Sequence, residues 1–104
     1  MVVYSVSQVN SYLLDLLTQD CVLRDIWVNG EVANLTQSRM GHTYFTIRDA
    51  DNSLRCVMFR SSAGNERLSD GNLVVAHGYI SMYRARGILQ MVVDLVQPEG
   101  VGNL

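Results

Sequence analysis

Thr43-Tyr44-Phe45-Thr46-Ile47-Arg48-Asp49-Ala50-Asp51-Asn52-Ser53-Leu54-Arg55-Cys56-Val57-Met58-Phe59-Arg60 is the stretch on which the reading of this chain turns. Both flanks are rich in β-branched and aromatic residues and alternate with a period of two. Between them, Asp49-Ala50-Asp51-Asn52 has the composition of a tight hairpin turn. The pattern predicts strands over Thr43–Arg48 and Leu54–Arg60. Alternation turns Phe45 and Ile47, then Leu54, Cys56 and Met58, toward a core. It turns Tyr44, Thr46 and Arg48, then Arg55, Val57 and Phe59, outward, with His42 at the entry and Arg60 at the edge.

Working outward, Ile26-Trp27-Val28-Asn29-Gly30-Glu31-Val32 reads as a preceding strand, with Gly30 at a bulge or tight bend, and Ser38 to Gly41 as a turn. Downstream, Ser61 to Gly71 is polar and is expected to carry one helical turn around Ala63 to Leu68. Leu73–Tyr83 reads as a long fourth strand bent at Gly78. Arg84-Ala85-Arg86-Gly87 is a loop, and Ile88–Val96 a fifth strand that Pro98 terminates. In that strand Leu89, Met91, Val93 and Leu95 are expected inside, and Gln90 and Asp94 outside. Ahead of the strands, residues 7–18 have helical period: Val9, Tyr12, Leu13, Leu16 and Leu17 form one apolar stripe, with Ser7 as N-cap. A helix this short needs a surface to pack on, and it reads as a lid.

Five strands with a helical insertion between the third and fourth match a mainly β fold, the small Greek-key barrel called the OB-fold, here with an N-terminal amphipathic helix. An open five-stranded sheet is the alternative. The expected divisions are an N-terminal helical extension over 1–25, a barrel over 26–98, and the start of a linker over 99–104.

The 104 residues suffice for one domain, and 48% hydrophobic against 17% charged residues implies a folded one. The apolar runs are far short of the ~20 residues a spanning helix needs. No basic, apolar, small-residue leader opens the chain, which points to the cytoplasm. Cys21 and Cys56 have no metal-ligand spacing and are expected to be reduced and buried. His42 and His77 are far apart and adjoin no acidic or thiol cluster in the sequence. No Ser–His–Asp pattern or phosphate loop occurs; Gly100-Val101-Gly102 is too short for one. Asp49 and Asp51 are what the turn itself requires. No cofactor, metal or catalytic chemistry is expected of these residues, and Trp27 reads as a half-buried packing residue.

The formal net charge is −2, yet all eight basic side chains are Arg, whose planar fork grips phosphate and stacks on bases. Residues 1–34 hold one Arg against four acids, and residues 35–104 hold seven against six, so any anion-binding surface is local to the second part. The candidate nucleic-acid-binding set is Tyr44, Arg48, Arg55, Phe59, Arg60 and His42 on the second and third strands. Arg39 joins them from the loop after the first strand, and Arg84 and Arg86 from the loop after the fourth. Aromatic rings interleaved with guanidiniums suit a single strand, whose bases stack on the rings while its phosphates meet the arginines. The competing readings are that the helix or a neighbouring domain covers Tyr44 and Phe59, and that Arg48 pairs with Asp49 or Asp51.

These residues carry a family pattern. Tyr4-Ser5-Val6-Ser7-Gln8-Val9-Asn10, Trp27-Val28-Asn29-Gly30-Glu31-Val32, Gly41-His42-Thr43-Tyr44-Phe45-Thr46-Ile47-Arg48-Asp49, Arg55-Cys56-Val57-Met58-Phe59-Arg60, Gly78-Tyr79-Ile80-Ser81 and Tyr83-Arg84-Ala85-Arg86-Gly87-Ile88-Leu89-Gln90 follow one another with matching gaps. Along nearly its whole length the chain resembles the N-terminal OB-fold domain of exodeoxyribonuclease VII large subunits. Thr43, Leu89 and Met40 depart from that pattern, and Leu89 removes an aromatic from the last hairpin. The resemblance implies a strand-binding module of an enzyme that degrades single-stranded DNA to oligonucleotides. Its implied partners are single-stranded DNA, the small subunit and the remainder of the large subunit, where the catalytic residues lie. On this reading the chain is a truncated piece of a longer one and binds weakly alone. Two other readings stand beside it: an OB-fold packing module that contacts protein instead of DNA, and an OB-fold that reads RNA.

Overall fold

The structure, a computed structural model, describes residues 1–63 and 68–99. Its elements are α1 (Val6–Gln19), β1 (Ile26–Gln37), β2 (Thr43–Arg48), β3 (Ser53–Ala63), β4 (Leu73–Tyr83) and β5 (Ile88–Pro98). The strands close into a barrel in the order β1-β2-β3-β5-β4, with β1 pairing to β4 to complete the ring. All pairings are antiparallel except β3 with β5. The closed ring excludes the open sheet. The expected helical turn before Leu68, and the tail from Gly100, lie outside the described residues.

Alternation builds the core as predicted on β2, where Phe45 and Ile47 are buried and Tyr44 and Arg48 exposed. Met58, Met91, Val32, Val74, Val93 and Val96 are the largest fully enclosed side chains, each stabilising by roughly 1.5–3 kcal/mol. Two glycines let so small a barrel close. A Cβ on Gly78 would collide with the Val92 carbonyl oxygen, and one on Gly30 with the Ile47 side chain. Opposite Gly78 the β4–β5 register slips, because His77 pairs with Leu95 while Gly78 pairs with Val93. Asp94 is therefore an extra residue, a bulge that reverses the alternation. Val96 consequently enters the core in place of the expected Leu95, which is only half-buried. Leu89 is also outside, beyond the point where β3 covers β5.

β1 continues past the predicted Val32 to Gln37, because Asn34 takes a left-handed backbone (φ 55) and shifts the register between Ala33 and Thr36 without ending the pairing to β2. β3 likewise runs past Arg60 to Ala63.

The helix starts earlier than predicted. Ser5, not Ser7, is the N-cap: its Oγ accepts from the Gln8 amide (3.1 Å), while Gln8 Oε1 accepts from the Ser5 amide (2.8 Å). This reciprocal capping box satisfies two amides where a lone cap would satisfy one. At the other end Asp20 Oδ1 accepts from the Val22 and Leu23 amides, and the Leu23 carbonyl accepts from Ile80. α1 thus flanks β4 beyond the point where β1 has begun. Of its predicted stripe only Leu17 turns toward the barrel. Asn10, Leu14 and Leu17 turn inward, Asn10 Nδ2 donating to the Arg84 carbonyl at 2.9 Å, while Val9, Tyr12, Leu13 and Leu16 stay exposed. The helix is held mainly by polar contacts at the β4–β5 loop and buries no residue fully. Among the described residues no helix is long and apolar enough to cross a membrane. Cys56 is buried as expected, but Cys21 is exposed.

Candidate nucleic-acid interface

The β2–β3 hairpin sets the site. Asp49 Oδ1 accepts from the Asp51 and Asn52 amides; these two bonds, the Asp51 one foremost, hold its carboxyl below the usual carboxylate range. Of the two acids read as turn chemistry, the Asp49 carboxylate is engaged as such, and Asp51 contributes its amide. The turn fixes the register Tyr44↔Val57 and Thr46↔Arg55, which places the two aromatics and Arg55 on one outer face.

That face is the floor of an open groove of about 850 Å³, walled on one side by the tip of the β4–β5 hairpin and on the other by the bulged end of β1. Tyr44 and Phe59, 45% and 43% exposed, lie in it with Arg55. Arg86 reaches it from the loop after β4. Tyr83, 53% exposed, adds a third ring, and Gln90, Thr36, Thr46 and Asn34 add hydrogen-bonding side chains. The described lining holds two arginines and no carboxylate. The local charge is therefore positive although the chain as a whole carries −2. Tyr83, Gln90 and Thr36 were missed by the sequence reading. Tyr83 had a readable signal, since it is the last strand residue before the arginine loop.

The other candidates are elsewhere. Arg48, at the far end of β2, pairs with Glu31 across the β1–β2 ladder at 3.0 Å, not with Asp49 or Asp51. The pair is exposed and is worth under about 1 kcal/mol. Arg84 donates to Ser11 Oγ (3.3 Å) and is turned to the helix. His42 sits beside the groove in a bracing role: Nδ1 accepts from the Arg60 amide (3.2 Å), and the ring stands edge-on to Phe59 at 5.1 Å. Arg60 lies over Gly41, whose positive φ (85) allows that turn its shape. Arg39 is exposed in the same turn. Val57, expected outward, does face away from the core but is only 3% exposed.

His77 has the acidic neighbours its sequence context lacks. Nδ1 meets Asp94 Oδ1 at 2.7 Å and Nε2 meets Asp25 Oδ1 at 2.5 Å, with Trp27 packed on the ring at 4.8 Å. The hydrogen bonds to Asp94 and then Asp25 raise its pKa above the ordinary imidazole value. No group of three or more potential metal ligands converges among the described residues. Trp27 remains half exposed.

A family model described as an OB-fold nucleic acid binding domain matches residues 4–97. The chain is 43% identical to the exodeoxyribonuclease 7 large subunit of Ruminiclostridium cellulolyticum and 42% identical to that of Halothermothrix orenii. Each match covers 98% of this chain and 26% of the relative, so the chain spans about a quarter of the curated relatives it matches. Among solved structures it is similar to asparaginyl-tRNA synthetase from Pyrococcus horikoshii (TM-score 0.60, 18% identity, 73% of this chain and 20% of that one). It is also similar to a chain of a replication protein A heterotrimer bound to single-stranded DNA (TM-score 0.64, 10% identity, 78% and 62%). At these identities the structural likeness speaks for the fold.

Proposed function

The chain belongs to the OB-fold nucleic acid binding domain family, and from that premise we propose that it captures single-stranded DNA for a nuclease of the exodeoxyribonuclease 7 large-subunit kind. One observation carries the reading: a groove whose described lining has three exposed rings, two guanidiniums and no carboxylate, on a chain whose net charge is negative. Rings accept bases of any identity, and each stacked base contributes about 1–3 kcal/mol. Arg55 and Arg86 neutralise phosphates. Tyr44, Phe59 and Tyr83 bind, while His42 holds Phe59 in place. Hydrolysis of the strand belongs to residues beyond this chain, in the larger part of the relatives that it does not match. The small subunit and the rest of the large subunit are the protein partners on this reading, in the cytoplasm.

A second reading, a protein-contact module, is favoured at one place only. The exposed Val9, Tyr12, Leu13 and Leu16 of α1 suit an apolar protein surface, and they lie apart from the groove residues. The test is anisotropy of labelled oligo-thymidine with a duplex competitor, comparing the parent chain with the Tyr44→Ala, Phe59→Ala double variant. Binding that prefers single strands and weakens at least tenfold in the variant supports capture. Equal binding of both proteins defeats it.

A further inference from the structure

The end of the β4–β5 hairpin that walls the groove projects past the rest of the barrel. β1 pairs with β4 only as far as Gly78, and β3 pairs with β5 only from Met91 onward. Beyond those points Ser81–Tyr83 and Ile88–Gln90 pair with each other, and neither segment has a second strand beside it. A two-stranded ribbon is marginal in water when nothing backs it. Yet this ribbon and its loop carry Tyr83, Arg86 and Gln90 to the groove.

Alternation separates the two faces of the ribbon. Tyr83 pairs with Ile88 and Ser81 with Gln90 on the groove side, which leaves Met82 and its partner Leu89 on the other. Met82 is only 6% exposed although it stands outside the main core cluster, so something covers it from behind. α1 packs against β4, and its half-buried residues Asn10, Leu14 and Leu17 fall at i, i+4 and i+7, on one side of the helix. Asn10 Nδ2 donates to the Arg84 carbonyl at 2.9 Å, Arg84 donates to Ser11 Oγ at 3.3 Å, and the Leu23 carbonyl accepts from the Ile80 amide at 2.7 Å. The Asn10 amide also sits against Gly87, its Nδ2 3.6 Å from where a Cβ would stand. One side chain therefore meets both ends of the Arg84–Gly87 loop, and Arg86 lies between those ends.

We infer that α1 is a prop behind the ribbon, its Asn10–Leu14–Leu17 line covering the Met82 face, and that Asn10 is a positioning residue for the bound strand. Held from behind, Tyr83 and Arg86 meet the strand without first having to be ordered, which spares binding that cost. Tyr44, Arg55 and Phe59 stand on the β2–β3 floor and need no such support. This role rests on the groove being the strand site.

Asn10→Ala removes the bond to Arg84 and leaves every groove side chain in place. By anisotropy of labelled oligo-thymidine, affinity is expected to fall about three- to tenfold. The slope of log affinity against log salt should flatten by up to about 0.7, as Arg86 loses its phosphate. In a Tyr83→Ala, Arg86→Gln background the same substitution should have no further effect. Amide hydrogen exchange tests the prop without DNA: in Asn10→Ala it should quicken over Ser81–Tyr83 and Ile88–Gln90 and stay unchanged over β2 and β3, which also shows the variant folded. Unchanged exchange in the ribbon overturns the prop, and quickening throughout the barrel does the same. Unchanged affinity, or an equal loss in the Tyr83→Ala, Arg86→Gln background, overturns the positioning role. The groove reading fails separately, when Tyr44→Ala, Phe59→Ala binds like the parent; the positioning role then falls with it, while the exchange result still decides the prop.

Discussion

Salt dependence counts the guanidiniums that meet phosphate, and on the proposed reading these are Arg55 and Arg86. Both line the groove; Arg48 is committed to Glu31 at 3.0 Å, away from it. Each phosphate neutralised on a single strand contributes about −0.7 to the slope of log affinity against log salt. Arg55→Gln should therefore flatten the slope by about 0.7, and Arg55→Gln, Arg86→Gln by about 1.4. Arg48→Gln should leave it unchanged. Any residual slope in the double variant reports cations outside the groove lining. The assay is anisotropy of a labelled oligo-thymidine between roughly 50 and 200 mM salt, the range over which such contacts are read. The slope is used because it is insensitive to small changes in stability that shift absolute affinity. If Arg48→Gln flattens the slope as much as Arg55→Gln, the strand does not lie in the groove and the assignment fails.

Gly78→Ala places a Cβ against backbone atoms, with Val92 C at 2.9 Å and Val93 Cα at 3.0 Å. It should cost more than the ~1–3 kcal/mol of ordinary overpacking, read as a lowered urea midpoint; a loss below about 0.5 kcal/mol refutes the close-approach argument. His77 has its pKa raised by Asp94 and Asp25, so its stabilisation is complete below the ordinary imidazole value and declines as pH rises through the elevated one. The parent should lose melting temperature relative to His77→Gln on going from about pH 6 to pH 8.5, since neutral imidazole can donate to only one of the two carboxylates; parallel curves defeat this. Burial pushes the Cys56 thiol up to about 12, whereas Cys21 is exposed. A thiol reagent at pH 8 should label Cys21 alone in the folded chain, checked by peptide mass, and labelling of Cys56 at a comparable rate contradicts the core assignment.

The bounds of β2 and β4 were legible because period-two alternation there runs undisturbed to each end. The extension of β1 was not, since Asn34 looks like a strand breaker and serves as a bulge. The core role of Val96 was hidden by the extra residue at Asp94, a one-residue slip that exchanges faces. Ser5-x-x-Gln8 was readable as a capping box and outranks Ser7 once both hydrogen bonds are considered. Arg48's partner and the cage around His77 depend on register and on residues 17 and 52 positions distant, which no local pattern encodes. For the groove, the hairpin supplied Tyr44, Arg55 and Phe59, but Thr36 enters through the bulged extension of β1 opposite Tyr44, and Gln90 through the parallel β3–β5 pairing.

β1 divides its ladder between two strands made at different times. Glu31–Gln37 pairs with β2, which follows directly, but Ile26–Glu31 pairs with Gly78–Leu73 of β4, 42 to 52 positions later. At about 5–20 residues per second of synthesis, the first half of β1 waits roughly 2–10 s on the ribosome for its partner. The local β2–β3 hairpin can form in microseconds during that wait. Barrel closure is thus the late, slow event in folding, as expected where long-range pairing dominates. Until it happens Trp27 and Val28 border an open strand edge, the part of the nascent chain most exposed to pairing with a neighbour.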